Sequence, residues 1–297
     1  MTPPLDAFLA TRPLNTARSY RPAVTAWLAW LGKDPARATP KDAAAYAGHL
    51  VATSKPATVS SRLSALASFH RHLVDSGLAR ANPFEDARPP AAVRHSNSRV
   101  LSVAELRRLT AYLSEPELSV RRLRECALVK FLLHTGRWPS EIAPLRWGDL
   151  NSQEGQVMLR WAGGVQALPE HVHADLLTWH EAEGWLILPG FHLWRRRQAY
   201  NNLPQLSSGL DPAGHITPQR MTTIVGRVGR AVDIDLTPGA LRNTFTVLYS
   251  TVTGDSAEAS RILGNRDPKS AAKLLRSPKG KAAMAEFSAA LGALTAT

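Results

Sequence analysis

Apolar residues spaced for helices recur along almost the whole chain, and this periodicity restricts the fold more than any other feature. Between residues 14 and 31, Tyr20, Val24, Trp27 and Leu31 follow at steps of four, three and four. On a helix of about 3.6 residues per turn those steps gather into one stripe. Pro40 begins a second helical stretch, with Tyr46 and Leu50 as its apolar contacts. Pro56 opens a third, at a first-turn position where a missing N–H costs nothing. Its apolar line is Val59, Leu63, Leu66 and Leu73 with Phe69 beside it, and Gly77 follows as a stop. The front of the chain is therefore expected to be a small all-α bundle.

From Asn82 to Arg99 the text changes to NPFEDARPPAAVRHSNSR, rich in proline and polar residues. It divides the chain into a domain at 1–86, a basic linker at 87–100 and a larger domain at 101–297. The first hundred residues hold 13 bases against 6 acids, a balance of +7 within a total of +12. Arg94 and Arg99 in the linker suit a phosphate backbone, and equally a solvated tether.

In the larger domain Ser102 and Glu105 form the pattern of a capping box. Helical spacing runs on through Leu113 and again from Arg121 to His134. Residues 156–169, QVMLRWAGGVQALP, read as two short strands around Gly163–Gly164. Helices are expected again at 172–183, 218–232, 240–252, 257–263 and 269–275. Met284, Phe287, Leu291 and Leu294 then share one face of an amphipathic tail helix. No internal repeat is present.

Composition sets limits. A hydrophobic fraction of 44% can bury a core, and no apolar run approaches the roughly 18 residues of a membrane span. The N-terminus carries Asp6 and prolines and lacks the pattern of a signal peptide. One cysteine, Cys126, leaves no disulfide framework or cysteine-rich zinc site and fits a reducing cytoplasm. The charge of +12 and pI near 10.4 favour polyanions, nucleic acid first among them. A composition rich in Arg, Ala and Pro produces the same excess without a partner.

Few residues offer chemistry by themselves. His171, His173, His180 and Glu181 lie close in sequence, but without cysteines or a His-Glu-x-x-His pattern they make a weak metal signal. No metal and no cofactor are expected. There is no Gly-x-x-x-x-Gly-Lys-Ser/Thr loop and no Gly-x-Ser-x-Gly elbow. Trp138, Trp147, Trp161, Trp179, Trp185 and Trp194 fit a core better than a base-stacking surface.

Several segments together resemble the tyrosine recombinases, the Xer and phage-integrase family. In the front domain they are SYRPAVTAWLAWL and KPATVSSRLSALASFHRHLVDSGLARANPFE, followed by RVLSVAELRRL at the junction. In the larger domain they are LVKFLLHTGRWPSEIAPLRWGDL, WLILP, LTPGALRNTFTVL and RILGNRDPKSAAKLL. The resemblance implies a mainly α, two-domain clamp on double-stranded DNA. An N-terminal helical core-binding (SAM-like) domain would join a larger helical catalytic-type domain with a small β-sheet. In active members a tyrosine attacks the scissile phosphate. Two arginines, a lysine and two histidines, the second sometimes a tryptophan, stabilise the charge that develops.

Position by position, this chain departs from that set. The first arginine of TG-x-R-x-SE is Trp138, with Arg137 one residue earlier; on a helix that is a turn of about 100°. The hairpin lysine is replaced by Ala162, the histidine of HxxR by Gly239, and the histidine of LGH by Asn265. Arg242 is retained. The nucleophile position holds Leu274, and no tyrosine follows Tyr249.

The resemblance therefore implies a DNA-binding protein without strand-transfer activity, not an enzyme, that organises, protects or regulates duplex DNA. The alternatives are a divergent recombinase using a displaced nucleophile such as Tyr249, or a non-catalytic partner of an active recombinase. Expected DNA contacts are Arg242 and Arg137, then Thr58, Ser61, Arg62 and Arg71 on the helix from Pro56. Arg94 and Arg99 in the linker and Arg266, Lys269 and Lys273 near the lost nucleophile complete them. The tail helix is expected to dock in trans, giving a homo-oligomer, or in cis. A cytoplasmic, nucleoid-associated location follows.

Overall fold

The computed structural model describes residues 3–86, 99–116, 119–161, 164–196, 214–264 and 269–295. The chain divides into two compact units, Met1–His95 and Ser96–Thr297.

The first unit contains α1 (Pro3–Ala10), α2 (Leu14–Leu31), α3 (Pro40–Thr53) and α4 (Pro56–Asp75). Thr39 and Asp42 close a capping box on α3, and prolines at the first turns of α3 and α4 set the start of each. Gly77 ends α4 with φ +70°, the Leu78 N–H reaching the Leu73 carbonyl at 2.8 Å and the Gly77 N–H that of Val74 at 2.9 Å. The apolar stripes meet in one core of Phe8, Val24, Trp27, Tyr46, Leu66 and Phe69. Inside it the Trp27 indole donates to His70 Nε2 at 3.0 Å. Helix α1 was not apparent in the sequence, because its two leading prolines and short length hide the i, i+3, i+4 set Leu5, Phe8 and Leu9, all buried here.

The second unit begins with α5 (Val103–Ser114), capped reciprocally by Ser102 and Glu105. Next come α6 (Val120–Thr135), the short α7 (Pro139–Ile142) and an antiparallel sheet β1 (Leu150–Gln153), β2 (Gln156–Trp161), β3 (Gly164–Leu168) in the order β1-β2-β3. The sequence suggested two strands; the sheet has three. The missed hairpin turns at Glu154–Gly155, both with positive φ (50° and 79°), as a tight two-residue turn requires. Its first strand, LNSQ, carries too few β-branched or aromatic residues to announce itself.

Helices α8 (Glu170–Ala182), α9 (Pro218–Ala231), α10 (Pro238–Thr253), α11 (Ser256–Ile262), α12 (Ser270–Arg276) and α13 (Pro278–Thr295) complete the unit. The main core surrounds α6 and includes Phe131, Leu132, Trp179, Trp194, Ile224 and Leu241. A smaller cluster of Val247, Ala283 and Phe287 lies where α13 meets α10. No helix among the described residues is long and apolar enough to cross a membrane.

Candidate nucleic-acid interface

The turn from α6 into α7 decides what the family-like positions present. Gly136 caps α6 in the left-handed region (φ +64°), its N–H reaching the Leu132 carbonyl at 2.9 Å. Residues 136–138 consequently lie between two helices. The rotation argument for Arg137 does not hold, because the position is not helical. Arg137 turns inward and Trp138 outward.

Arg137 is 2% exposed. Its guanidinium carbon sits 3.4 Å from the centre of the Trp161 ring, and Nη2 donates to the Ile262 carbonyl. Burial pulls its pKa down to about 10, with the Arg242 charge adding to that and Glu141 opposing it.

Arg242, on the first turns of α10, is 7% exposed. Its Nη1 donates to the Gly136 carbonyl at 2.7 Å and its Nη2 to the Leu263 carbonyl at 2.9 Å. Glu141 Oε2 lies 3.7 Å from Nη1. Burial lowers the Arg242 pKa, and Glu141 works against that shift. The two arginines thus hold adjacent carbonyls at the C-terminal end of α11, where cations complement exposed carbonyl dipoles.

Trp138 lies beside Arg242 and Gly239. The Arg242 guanidinium carbon is 5.3 Å from its ring centre. At Gly239, a Cβ would stand 3.7 Å from the indole Cη2 and 3.9 Å from Cζ3. An alanine methyl fits there, whereas a longer side chain pointing the same way meets the ring. Trp138 and Gly239 are therefore sterically matched. Sequence reading identified both residues but not their contact.

Helix α12 has two faces. Leu274 packs with Leu275 against the cluster of Val247, Phe287 and Met284. Lys269, Lys273 and Arg276 are exposed, and with Ala272 and Ser277 they line a cleft of about 580 Å³. Spaced at four and three, the cations share one side of the helix. The tail helix α13 seats in cis: Ala283 and Phe287 are buried and Glu286 Oε1 accepts from the Val103 N–H at 2.8 Å. Met284 joins the same cluster, Leu291 is 38% exposed, and the Leu294 side chain is outside the described residues.

On α4 of the first unit, Thr58 and Ser61 are exposed and Arg62 is half-buried, with Nη1 3.5 Å from Ser54 Oγ. Arg71 is exposed and lies 3.9 Å from Glu85. Arg99 is half-buried and pairs with Glu105 at 2.6 Å. Arg94, Ala162, Asn265 and Arg266 fall outside the described residues.

The histidines named in the sequence occupy separate settings. His171 Nε2 lies 3.3 Å from His134 Nε2, whereas His180 is fully buried among Trp147, Trp179 and Trp185. Tyr249 is half-buried on α10; burial raises its pKa first, and the Glu258 carboxylate raises it further.

Residues 9–77 match the family model described as phage integrase, N-terminal SAM-like domain. The chain is similar to tyrosine recombinase XerD of Chlorobaculum tepidum, 32% identical over 159 residues, which is 52% of each protein. The matched part thus spans about half the length of that relative. It is also similar to tyrosine recombinase XerD of Lacticaseibacillus casei, 24% identical over 269 residues, 85% of this chain and 84% of that one. Among solved structures, a lambda integrase dimer bound to a COC' core site superposes with a TM-score of 0.62 at 18% identity, covering 92% and 93% of the two chains. That likeness is one of fold.

Proposed function

The chain belongs to the tyrosine recombinase family, and from that premise we propose that it binds double-stranded DNA without cutting it. The observation that carries this reading is the two-sidedness of α12. The residue at the nucleophile position is an apolar side chain packed inward, while the same helix turns Lys269, Lys273 and Arg276 outward. A helix of that kind supplies positive charge and no attacking group. The solved lambda integrase was captured on a DNA core site, and a net charge of +12 suits the same class of ligand.

The backbone contacts we assign are Thr58, Ser61, Arg62 and Arg71 on α4, with Arg94 and Arg99 of the junction and Arg266, Lys269 and Lys273 beside α12. Most contacts of this kind go to phosphates and fix position, leaving sequence to few side chains. Arg137 and Arg242, turned toward carbonyls, act in this reading as the frame that holds the end of α11 to the α6–α7 turn. Bound in this way, the protein organises or protects DNA in the nucleoid.

The test is the salt dependence of duplex binding. Affinity should fall steeply with salt, with a log–log slope of about −0.9 per phosphate contacted. A Lys269→Ala, Lys273→Ala double variant should flatten that slope by about 2. Binding indifferent to salt would overturn the reading.

A further inference from the structure

Trp138 is the sole exposed Trp, Tyr or Phe among the described residues of the second unit, at 41%. Its backbone is held in place. The N–H donates to Glu141 Oε2 at 2.7 Å, the carbonyl accepts from Glu141 N at 2.9 Å, and Pro139 follows, restricting Trp138 to its extended conformation. The Arg242 guanidinium carbon lies 5.3 Å from the ring centre, and a Cβ at Gly239 would stand 3.7 Å from the indole Cη2. No aromatic ring among the described residues stacks on it. The result is a flat, anchored π surface beside a cation.

We propose that Trp138 is a stacking platform for an unpaired nucleobase, so that the preferred ligand is DNA carrying an extrahelical or gapped base. This rests on the DNA-binding reading above and sharpens it. Every base offers a π face, so an immobilised indole gains binding energy without sequence preference, and the gain needs a base that is out of its pair. An intact duplex keeps its bases stacked on one another and offers Trp138 only its backbone. The buried Arg242 guanidinium adds positive charge beside the ring.

The experiment compares an intact duplex with the same duplex carrying one unpaired 2-aminopurine, titrated with the full chain at fixed salt. The expected result is tighter binding of the unpaired DNA, roughly 5- to 150-fold for one stacked base, with quenching of the probe. Trp138→Ala should remove both the preference and the quenching while leaving intact-duplex affinity within about twofold, a change smaller than any one stacking contact. Trp138→Leu, which keeps apolar bulk but has no π face, should behave as the alanine variant does and guards against a folding defect. Equal affinity of the unaltered protein for both DNAs, or a preference that survives Trp138→Ala, would overturn the inference alone. Failure to bind either DNA at low salt would overturn the DNA-binding reading, and this inference with it.

Discussion

Arg242 donates through Nη2 to the carbonyl of Leu263 at 2.9 Å and so secures the end of α11. Its other nitrogen is engaged with the Gly136 carbonyl at 2.7 Å, linking the α6–α7 turn to the same point. Arg242→Ala leaves two carbonyls without their donor. Hydrogen bonds to charged groups contribute about 1.5–3 kcal/mol each, and neighbouring losses do not add fully. A loss of roughly 2–4 kcal/mol in urea unfolding is expected, with little rescue by lysine, which lacks the planar fork. Unchanged stability with a large loss of DNA affinity would mean that Arg242 faces the ligand instead.

His70 gives the first unit a pH dependence. It is fully buried, and burial lowers its pKa to about 4 from an ordinary 6.5. In the fold it stays neutral and accepts from Trp27, while in the unfolded chain it takes a proton below about pH 6.5. The unfolded state thus binds more protons between those values, so stability is full above about 6.5 and declines as pH falls toward 4. The loss from this residue is at most about 3 kcal/mol. His70→Gln should flatten the decline measured by urea titration between pH 7 and pH 4.5. An equally steep decline in the variant would assign it elsewhere, to His134 first, whose pKa burial also lowers to about 4.

Placing a tyrosine at position 274 should not create a cleaving enzyme. Leu274 packs in the cluster of Val247 and Phe287, and a larger ring there costs roughly 1–3 kcal/mol in overpacking. No arginine stands at 138 and no histidine at 239 to stabilise the charge of a phosphoryl intermediate. Leu274→Tyr is expected to lower the unfolding midpoint and to give no covalent DNA adduct on a denaturing gel. An adduct would show that the remaining residues suffice.

Gly280 joins α13 to α12 by close approach rather than by turn geometry. A Cβ there would collide with the Leu274 carbonyl oxygen and stand 2.9 Å from its carbon and 3.0 Å from Leu275 Cα. These neighbours are backbone and cannot rotate away. Gly280→Ala should destabilise the second unit by roughly 1–3 kcal/mol, as overpacking does, in denaturant melts. A neutral result would mean that α13 is not held in this position.

Much of this was readable in the sequence because the helices are amphipathic and carry their own start signals. The stripe of Val59, Leu63, Leu66 and Leu73 is buried as the spacing required, and the Ser102–Glu105 cap forms with both reciprocal bonds. The sheet was read only in part, since β1 has neither alternation nor β-branched residues and is specified by its pairing with β2. At the candidate site the sequence named the residues, but not the direction in which Arg137, Trp138 and Arg242 point. That Arg137 points in and Trp138 out follows from the left-handed cap at Gly136, a local conformation that residue spacing does not encode. The contact of Trp138 with Gly239 joins positions about a hundred residues apart and is visible only in three dimensions.

The central claim is DNA binding without cleavage, and one gel pair tests it most directly. The full chain is mixed with labelled duplexes, including nicked substrates that trap a covalent intermediate, and the same samples are run under native and denaturing conditions. The account predicts a shifted band on the native gel that disappears entirely on the denaturing one. A labelled band that survives denaturation would be a protein–DNA covalent bond and would contradict it.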